Sequence, residues 1–224
     1  MYAAVNKINL YYKKNGYNSD TIIFLHGNGE DHTIFDKLAL KFKDEYRLIQ
    51  VDSRSHGQSD TVGNLSYYDM AQDIYELIKT LNLRRVIIIG YSDGANTALL
   101  LASKYPFLIK KLVLCSPNSC LEGLKKTEII KMKASYLLNR SDKLRLMLQQ
   151  EEVTKEQLNK ISCPTLILGG SNDLIKQDHF KYLNKEIIKS LLKIYKNKDH
   201  YDYLINSDFI YKDVDYFLRK NILL

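Results

Sequence analysis

The chain has 224 residues, 45% of them hydrophobic, and its 33 basic and 26 acidic residues give a formal net charge of +7. This length and composition fit a single globular domain with a substantial core, spanning residues 1–224. The lysines are spread along the chain and mixed with Asp and Glu, without a basic stripe interleaved with aromatic residues, so no nucleic-acid partner is expected.

Strand-like segments recur along the chain. A hairpin is predicted around VNKINLYYKKN at the N-terminus, and six later segments have the apolar, β-branched character of buried strands. These six segments are residues 21–26, 46–52, 85–90, 111–116, 164–169 and 191–195.

Helix-like segments lie between most of these strands. They have helical spacing or strong helix formers, and they are residues 31–42, 66–81, 95–105, 176–187 and 201–218. Alternation of strand and helix predicts an α/β fold, with a mostly parallel central sheet and helices on both faces.

Residues 118–160 interrupt this alternation. They are helix-like, rich in Leu and Lys, and much longer than the short crossover that two neighbouring strands need. We predict that they form a small helical cap. Thr154 and Gln157 have the spacing of a capping box, which predicts the start of its last helix.

A serine between two glycines stands where a predicted strand meets a predicted helix. In IIGYSDGAN, residues 88–96, Gly90 and Gly94 permit a tight turn that leaves Ser92 exposed above the sheet. The positive end of the following helix favours negative charge beside it. An N-capping serine in a plain glycine turn is the alternative, but the strand before it and the helix after it favour a nucleophile.

A serine nucleophile needs a base and a group that orients the base. Asp173 follows the strand PTLILGG, and His200 follows LLKIYKN, so both belong to the sheet edge that carries Ser92. Each alone is compatible with an ordinary loop residue. Together, in this order and at these strand ends, they predict a catalytic triad of Ser92, His200 and Asp173.

Acyl transfer also requires donors for the oxyanion of the tetrahedral intermediate. The loop LHGNGED follows a predicted strand, and the backbone N–H groups of Asn28 and Asp93 are the expected donors. We interpret His26 as a packed, hydrogen-bonded imidazole that steadies this loop. Because no spacing such as HExxH joins His26 or His56 to nearby carboxylates, neither a metal nor another cofactor is expected.

The cysteines and the lengths of the apolar runs indicate where in the cell the protein is expected. Cys115, Cys120 and Cys163 are odd in number and match no zinc or CxxC spacing, which predicts reduced, packed thiols. The longest apolar runs, such as residues 22–25 and 99–102, are far shorter than the roughly 20 residues of a membrane helix, and MYAAVNKINLYYKK lacks a signal-peptide core. A cytoplasmic protein without a membrane partner is therefore expected.

Six motifs occur in a specific order: FLHGNG, VDSRSHGQSD, IIGYSDGAN, LVLCSP, PTLILGGSNDLI and KDHYDYL. On these motifs the chain resembles the α/β-hydrolase superfamily from Thr21 almost to its C-terminus, with the family's chain order of Ser, Asp and His. The resemblance implies the α/β-hydrolase fold and the roles assigned above to the triad and the two oxyanion amides. In DSRSHGQSD, Ser55 stands where the family's DxRGxGxS loop has glycine, and the loop's role is expected to be structural.

The stretch GYSDGANTALLLASKYPFLIKKLVL is most similar to the valacyclovir-hydrolase-like branch of that superfamily, whose members hydrolyse amino-acid esters. The elbow of that branch carries the same aspartate after the serine, here Asp93. Its carboxylate has two candidate roles, which are attraction of a substrate ammonium and bracing of the elbow. Bracing is the favoured role, because an acid there also satisfies nearby loop amides.

These residues predict a carboxylesterase-like serine hydrolase that cleaves an ester of a small molecule through an acyl-enzyme intermediate. The same triad serves thioesterases, amidases and C–C bond hydrolases, and a non-catalytic ligand-binding protein of this fold is a further alternative. Candidate substrate-contacting residues are Asp93, Phe35 and Tyr136, joined by Leu121, Leu124 and Ile129. Such an apolar stripe more often packs in the core.

Overall fold

The structure is a computed structural model that describes residues 1–220. Residues 221–224 of the expected domain lie outside this range. The strands are β1 (Tyr2–Val5), β2 (Ile8–Asn15), β3 (Thr21–Leu25), β4 (Arg47–Val51), β5 (Val86–Tyr91), β6 (Ile109–Cys115), β7 (Thr165–Gly170) and β8 (Ser190–Tyr195).

These strands form a sheet with the order β1-β2-β4-β3-β5-β6-β7-β8. The β1–β2 and β2–β4 pairs are antiparallel, and the other neighbours are parallel. The N-terminal hairpin and the six predicted strands are therefore confirmed, with ends that shift by one or two residues.

Helices cover both faces of the sheet. They are α1 (Asp36–Phe42), α2 (Tyr67–Thr80), α3 (Asp93–Lys104), α4 (Lys126–Asn139), α5 (Asp142–Leu148), α6 (Lys155–Asn159), α7 (Gln177–Glu186) and α8 (Tyr211–Arg219). One hydrophobic cluster joins α1 and α8 to one face, and another joins α2, α3 and α7 to the opposite face. The predicted fold class is confirmed.

The last predicted helix is wrong in its first half. Its predicted range is residues 201–218, but α8 begins only at Tyr211, and residues 201–206 form turns. Asn206 has a left-handed backbone (φ 49°), which interrupts a right-handed helix, and its N–H donates to the carbonyl of Ile34 (2.9 Å). The irregular stretch buries Tyr203 beneath the site described below. Predicted helix 31–42 similarly opens with a 3₁₀ turn at His32–Phe35 before α1.

Residues 118–160 contain a 3₁₀ turn at Leu121–Gly123 and the three helices α4, α5 and α6. The predicted capping box is present at the start of α6. Thr154 accepts from the backbone N–H of Gln157, and the Gln157 side chain accepts from the backbone N–H of Thr154. The helix-like sequence of this segment therefore corresponds to observed helices between β6 and β7.

The loop after β4 has a structural role. Ser55 adopts the left-handed conformation (φ 61°) that glycine adopts most easily, and its Oγ accepts from the N–H of Val62 (2.9 Å). Arg54 donates two hydrogen bonds to the carboxylate of Asp73, at 2.7 and 2.6 Å, and both side chains are buried. The paired charges tie the loop to α2.

Two further observations concern membrane-spanning helices and the cysteines. Across residues 1–220, no helix combines the length and the apolar character that crossing a membrane demands. Cys115 and Cys163 are buried, Cys120 is partly buried, and all three are free thiols.

Gly90 in β5 and Gly94 in α3 let the helix approach the sheet closely. A Cβ atom on Gly94 would lie 2.1 Å from the carbonyl oxygen of Leu25 in β3, and a Cβ on Gly90 would lie 2.5 Å from the carbonyl oxygen of Gly94. Both clashes involve backbone atoms, which move only if the helix or the sheet moves. The spacing of the two glycines therefore sets how closely the helix approaches the strand ends.

We expect Gly94→Ala to lower the free energy of unfolding by about 2 kcal/mol or more, because the added methyl group overlaps the backbone of β3. Gly63→Ala is the matched control, since a Cβ there meets no atom within 4 Å. Urea denaturation followed by circular dichroism measures both variants. Equal unfolding free energies for the two variants would contradict the close approach.

Candidate active site

Ser92 occupies the turn between β5 and α3 in a sparsely populated backbone conformation (φ 50°, ψ −115°). Its N–H donates to the carbonyl of Cys115 (2.9 Å), which holds the turn against β6. Backbone strain of this kind costs on the order of 1–3 kcal/mol and persists where the surrounding structure enforces it. The turn places the hydroxyl, partly exposed, at the carboxyl edge of the sheet and just before the start of α3.

The three predicted triad residues lie in contact. His200 Nε2 lies 3.1 Å from Ser92 Oγ, and His200 Nδ1 lies 2.6 Å from Asp173 Oδ1. His200 and Asp173 are both buried. With Asp173 as acceptor at Nδ1, the neutral ring carries its proton there and offers Nε2 to the serine hydroxyl. The arrangement permits proton transfer from Ser92 to His200.

Asp173 is held by four donors. Besides His200, Ser116 Oγ donates to its Oδ2, and the backbone N–H groups of Ile175 (3.1 Å) and Gly170 (3.3 Å) donate to its two oxygens. Burial by itself raises the pKa of Asp173, but the hydrogen bonds and the charge of His200 outweigh it and hold the pKa below its usual value. The carboxylate therefore stays ionised.

Sequence reasoning missed Ser116 and Tyr203. Tyr203 contacts Ser116 through its hydroxyl, which extends the hydrogen-bond chain behind Asp173. Ser116 directly follows β6 at the carboxyl edge of the sheet, which is the signal that could have identified it. Tyr203 offered no such signal, because it comes from the irregular stretch after His200.

In the loop after β3, hydrogen bonds hold the backbone N–H groups on either side of Asn28. The N–H of Gly27 donates to Glu30 Oε2 (3.0 Å), and the N–H of Gly29 donates to His56 Nε2 (3.1 Å). Among the residues that the structure describes, the backbone N–H of Asn28 between them has no hydrogen-bond partner. It is thus one of the few loop donors available to a ligand.

The Asp93 carboxylate lies on the other side of the same site. It is buried, its Oδ2 accepts from Asn28 Nδ2 (2.7 Å), and its Oδ1 accepts from the hydroxyl of Tyr67 (2.7 Å). Burial raises the pKa of Asp93, opposed by these two hydrogen bonds. Within residues 1–220, the backbone N–H of Asp93 has no partner either. Tyr67 was not identified from the sequence.

His26 and His56 use their ring nitrogens on the backbone. His26 Nε2 accepts from the N–H of Ser53 (3.0 Å) and its Nδ1 bonds the carbonyl of Gly27 (2.7 Å); His56 bonds Gly29 and the carbonyl of Arg54 in the same way. Burial lowers the pKa of His26 to about 4. Both rings are therefore neutral supports of the loops, as expected for His26.

Another cluster has the residue types of a metal site. Asp31, His32 and Asp52 bring three ligand atoms within 4.8 Å of one another. These groups already serve the protein: His32 Nδ1 lies 2.7 Å from Asp52 Oδ1, and Asp31 accepts from the N–H of Thr33 as a helix cap. The cluster is explained by loop and cap interactions.

A cavity of about 230 Å³ opens above Ser92. Its carboxylates are Glu30, Asp93 and Glu128, and none of the Lys or Arg residues in the described range 1–220 lines it. The remaining walls come from the loops and the segment between β6 and β7, and include the apolar residues Leu124, Met132, Met147, Leu174 and Ile175 and the amides Asn96, Asn118 and Gln150. The cavity is therefore small, with apolar walls and three carboxyl groups among its lining residues.

Two of the expected substrate contacts lie elsewhere. Phe35 is fully buried against Phe24, with ring centroids 5.2 Å apart, because its 3₁₀ turn faces the sheet. Tyr136 lies one helical turn beyond Met132 and does not line the cavity. Leu124 lines it as expected, whereas Leu121 and Ile129 pack against the core.

Glu30 is an unusual carboxyl group in this cavity. Burial raises its pKa to about 7; the nearby charges of Asp93 and Asp31 add to the increase, and the Gly27 N–H and His200 oppose it. Its single hydrogen-bond donor from the loop contrasts with the four donors around Asp173. The group consequently titrates near neutral pH.

Comparisons with known proteins agree with this architecture. A family model described as alpha/beta hydrolase fold matches residues 20–142. The chain is 27% identical to the serine hydrolase BPHL of Mus musculus, over 96% of this chain and 85% of that protein.

Two solved structures share the fold closely. The esterase EaEST from Exiguobacterium antarcticum has a TM-score of 0.85 at 20% identity, covering 98% of this chain and 99% of that one. The enol-lactonase from Burkholderia xenovorans LB400 has a TM-score of 0.82 at 19% identity, covering 98% of this chain and 100% of that one. These two likenesses concern the fold.

Glu30 is expected to make stability depend on pH. Its pKa is about 7 in the folded chain against an ordinary value of 4.5, so the folded state keeps a proton that the unfolded chain releases. The resulting stability is complete below pH 4.5 and is lost as the pH rises through about 7. Glu30→Gln cannot titrate and lacks this loss.

The difference in unfolding free energy between Glu30→Gln and the wild type is therefore expected to change with pH. Between acidic and neutral pH it should shift by about 1–3 kcal/mol in favour of Glu30→Gln. Denaturant titrations at several pH values measure it. Glu151→Gln, at an exposed position, controls for the loss of one carboxylate. A difference between Glu30→Gln and wild type that does not vary with pH would contradict the assignment.

Proposed function

Because the chain is a hydrolase that belongs to the α/β-hydrolase fold family, we propose that it cleaves a carboxylic ester of a small molecule through Ser92, His200 and Asp173. The observation that carries the proposal is the pair of contacts made by the His200 ring, 3.1 Å to Ser92 Oγ and 2.6 Å to Asp173 Oδ1. A nucleophile, a base and an orienting carboxylate are thereby joined in one chain of hydrogen bonds.

The reaction proceeds in two halves. His200 takes the proton of Ser92 as the serine oxygen attacks the ester carbonyl, and His200 then donates that proton to the departing alcohol oxygen. In the second half, His200 takes a proton from water, the resulting hydroxide attacks the acyl-enzyme, and the proton returns to Ser92 as the acid leaves. Asp173 stabilises the imidazolium that forms in each half.

The oxyanion of each tetrahedral intermediate is assigned to the backbone N–H groups of Asn28 and Asp93. Support comes from their lack of other partners within the described residues and from the bonds that fix the loop around Asn28. One such donor typically contributes on the order of 3 kcal/mol to transition-state stabilisation. The Asn28 side chain bonded to Asp93 couples the two halves of the hole.

The volume of the cavity and the charged groups that line it limit the substrates that it can accept. Its volume of about 230 Å³ suits a short acyl group. Glu30, Asp93 and Glu128 line it and, within residues 1–220, no Lys or Arg does, so an additional carboxylate on the substrate would find no cationic partner there. Small neutral or cationic esters are the proposed substrates.

Ser92→Ala is expected to abolish turnover, because the attacking oxygen is lost while the fold is kept. Hydrolysis of p-nitrophenyl acetate should fall by on the order of 10³-fold or more, and covalent labelling by a fluorophosphonate probe should disappear. Ser103→Ala, which changes a serine within α3 away from the cavity, is the control. Unchanged hydrolysis in Ser92→Ala would falsify the proposed nucleophile, and a wild-type chain that fails to react with the probe would favour the non-catalytic alternative.

Asp93→Asn tests bracing against substrate recognition. An amide at position 93 presents an NH₂ group to one of the two donors, Asn28 Nδ2 or the Tyr67 hydroxyl, so the elbow loses a hydrogen bond. We expect kcat/KM to fall by about tenfold or more, equally for amino-acid esters and for simple esters. The measurement is a panel of esters that differ in acyl length and in an α-amino group.

Glu128→Gln serves as the comparison variant, because it removes a cavity carboxylate without touching the elbow. A selective loss on amino-acid esters in Asp93→Asn would instead assign the carboxylate to recognition of the substrate ammonium.

A further inference from the structure

Helix α4, residues 126–139, has two apolar faces. On its inner face Glu128 and Met132 line the cavity, and Ile129 packs against the core. No residue of the helix is buried, although it contains six large apolar or aromatic side chains. The inner face accounts for only part of this apolar content.

The outer face carries a stripe of exposed apolar side chains. Ile130, Leu137 and Leu138 are 67%, 65% and 88% exposed, and Ala134 between them is also exposed. Their spacing of i, i+4, i+7 and i+8 places them on one side of a helix. Isolated exposed leucines are ordinary, but a continuous apolar stripe commonly marks a surface that contacts something else.

Basic side chains border this stripe on both sides. At about 100° per residue, Lys126 and Lys133 fall along one edge of the stripe and Lys131 along the other. Lys126 and Lys133 are exposed, and neither forms an ion pair within residues 1–220. The one acidic residue of α4, Glu128, lies on the inner face and forms an ion pair with Lys131 (2.8 Å). The outer face is thus apolar at its centre, with two unpaired lysines along one edge.

We propose that the outer face of α4, consisting of Ile130, Ala134, Leu137 and Leu138 with the flanking lysines, docks on an anionic lipid surface. An apolar face bordered by lysines is the pattern of helices that lie in the plane of a membrane interface. The apolar side chains enter the boundary of the acyl chains, and the lysines contact anionic head groups. The net charge of +7 adds a general attraction to such a surface.

The flanking charges favour lipid over a second copy of the chain. In a dimer formed by two copies of this face, each copy would bring the unpaired Lys126 and Lys133, and the outer face of α4 offers no acidic residue to neutralise them. An anionic surface meets both of these lysines with opposite charge. The sequence-based expectation of no membrane partner considered spanning helices, and a helix lying on the surface needs no such length.

Docking would place the catalytic cavity next to the lipid. Glu128 and Met132, on the opposite face of the same helix, line that cavity, so the interface lies one helix diameter from the site. Lipid binding itself requires no catalysis. The proposal therefore goes beyond the proposed function and is tested by binding alone.

The test is co-sedimentation of the full chain with vesicles of phosphatidylcholine alone and of phosphatidylcholine with about 30 mol% phosphatidylglycerol. We expect binding to the anionic vesicles that weakens as salt is added. The triple variant Ile130→Gln, Leu137→Gln, Leu138→Gln should lower the vesicle partition coefficient by about tenfold or more. Lys126→Gln with Lys133→Gln should weaken binding to anionic vesicles only.

Phe107→Gln is the matched control for loss of an exposed apolar side chain. Phe107 is 88% exposed, like Leu138, but it precedes β6 at the opposite edge of the sheet. It should bind vesicles as the wild type does. Circular dichroism checks that each variant is folded, and the single variant Leu138→Gln replaces the triple variant if that one does not fold.

Three results would overturn the proposal. They are no binding of the wild type to anionic vesicles, equal binding by the triple variant and the wild type, and a concentration-dependent dimer without lipid that the triple variant abolishes. The last result, seen by light scattering, would assign the surface to a second copy of the chain.

Discussion

The buried hydrogen bond from His200 Nδ1 to Asp173 is the interaction on which the site depends. It joins loops after β8 and β7 and aims the opposite ring nitrogen at Ser92, 3.1 Å away. The bond is supported from below by Ser116 and Tyr203 and from the side by Tyr91, whose hydroxyl donates to the backbone carbonyl of His200 (3.1 Å). Four separate strands thereby position one imidazole.

Three carboxyl groups near this imidazole differ because their donors differ. Asp173 receives four hydrogen bonds and has a lowered pKa, whereas Asp93 receives two and Glu30 one, and burial raises the pKa of both. Each additional donor favours the charged form, while burial favours the neutral form. One fold thus keeps an ionised carboxylate behind the imidazole, a second one hydrogen-bonded beside the loop after β3 and a titrating one at the cavity wall.

The segment between β6 and β7 has two surfaces with different tasks. Its inner side closes the cavity with Leu124, Met132 and Met147, and its outer side exposes the apolar stripe of α4. A helix that is apolar on both sides needs a neighbour on each side to remove both faces from water. The core and the cavity supply one neighbour, and the proposed lipid surface supplies the other.

The sequence by itself determined the strands, most helices, the capping box at Thr154 and the glycine-framed turn at Ser92. These features follow from local residue patterns, namely β-branched runs, helical spacing and fixed turn chemistry. It also placed Asp173 and His200 at one sheet edge, because parallel strands end together. Only the tertiary structure decided the rest: that Tyr67 and Asn28 hold Asp93, that Ser116 and Tyr203 support Asp173, and that Phe35 and Tyr136 lie outside the cavity. Such contacts join residues far apart in the chain, and side-chain direction in loops depends on packing that no local pattern encodes.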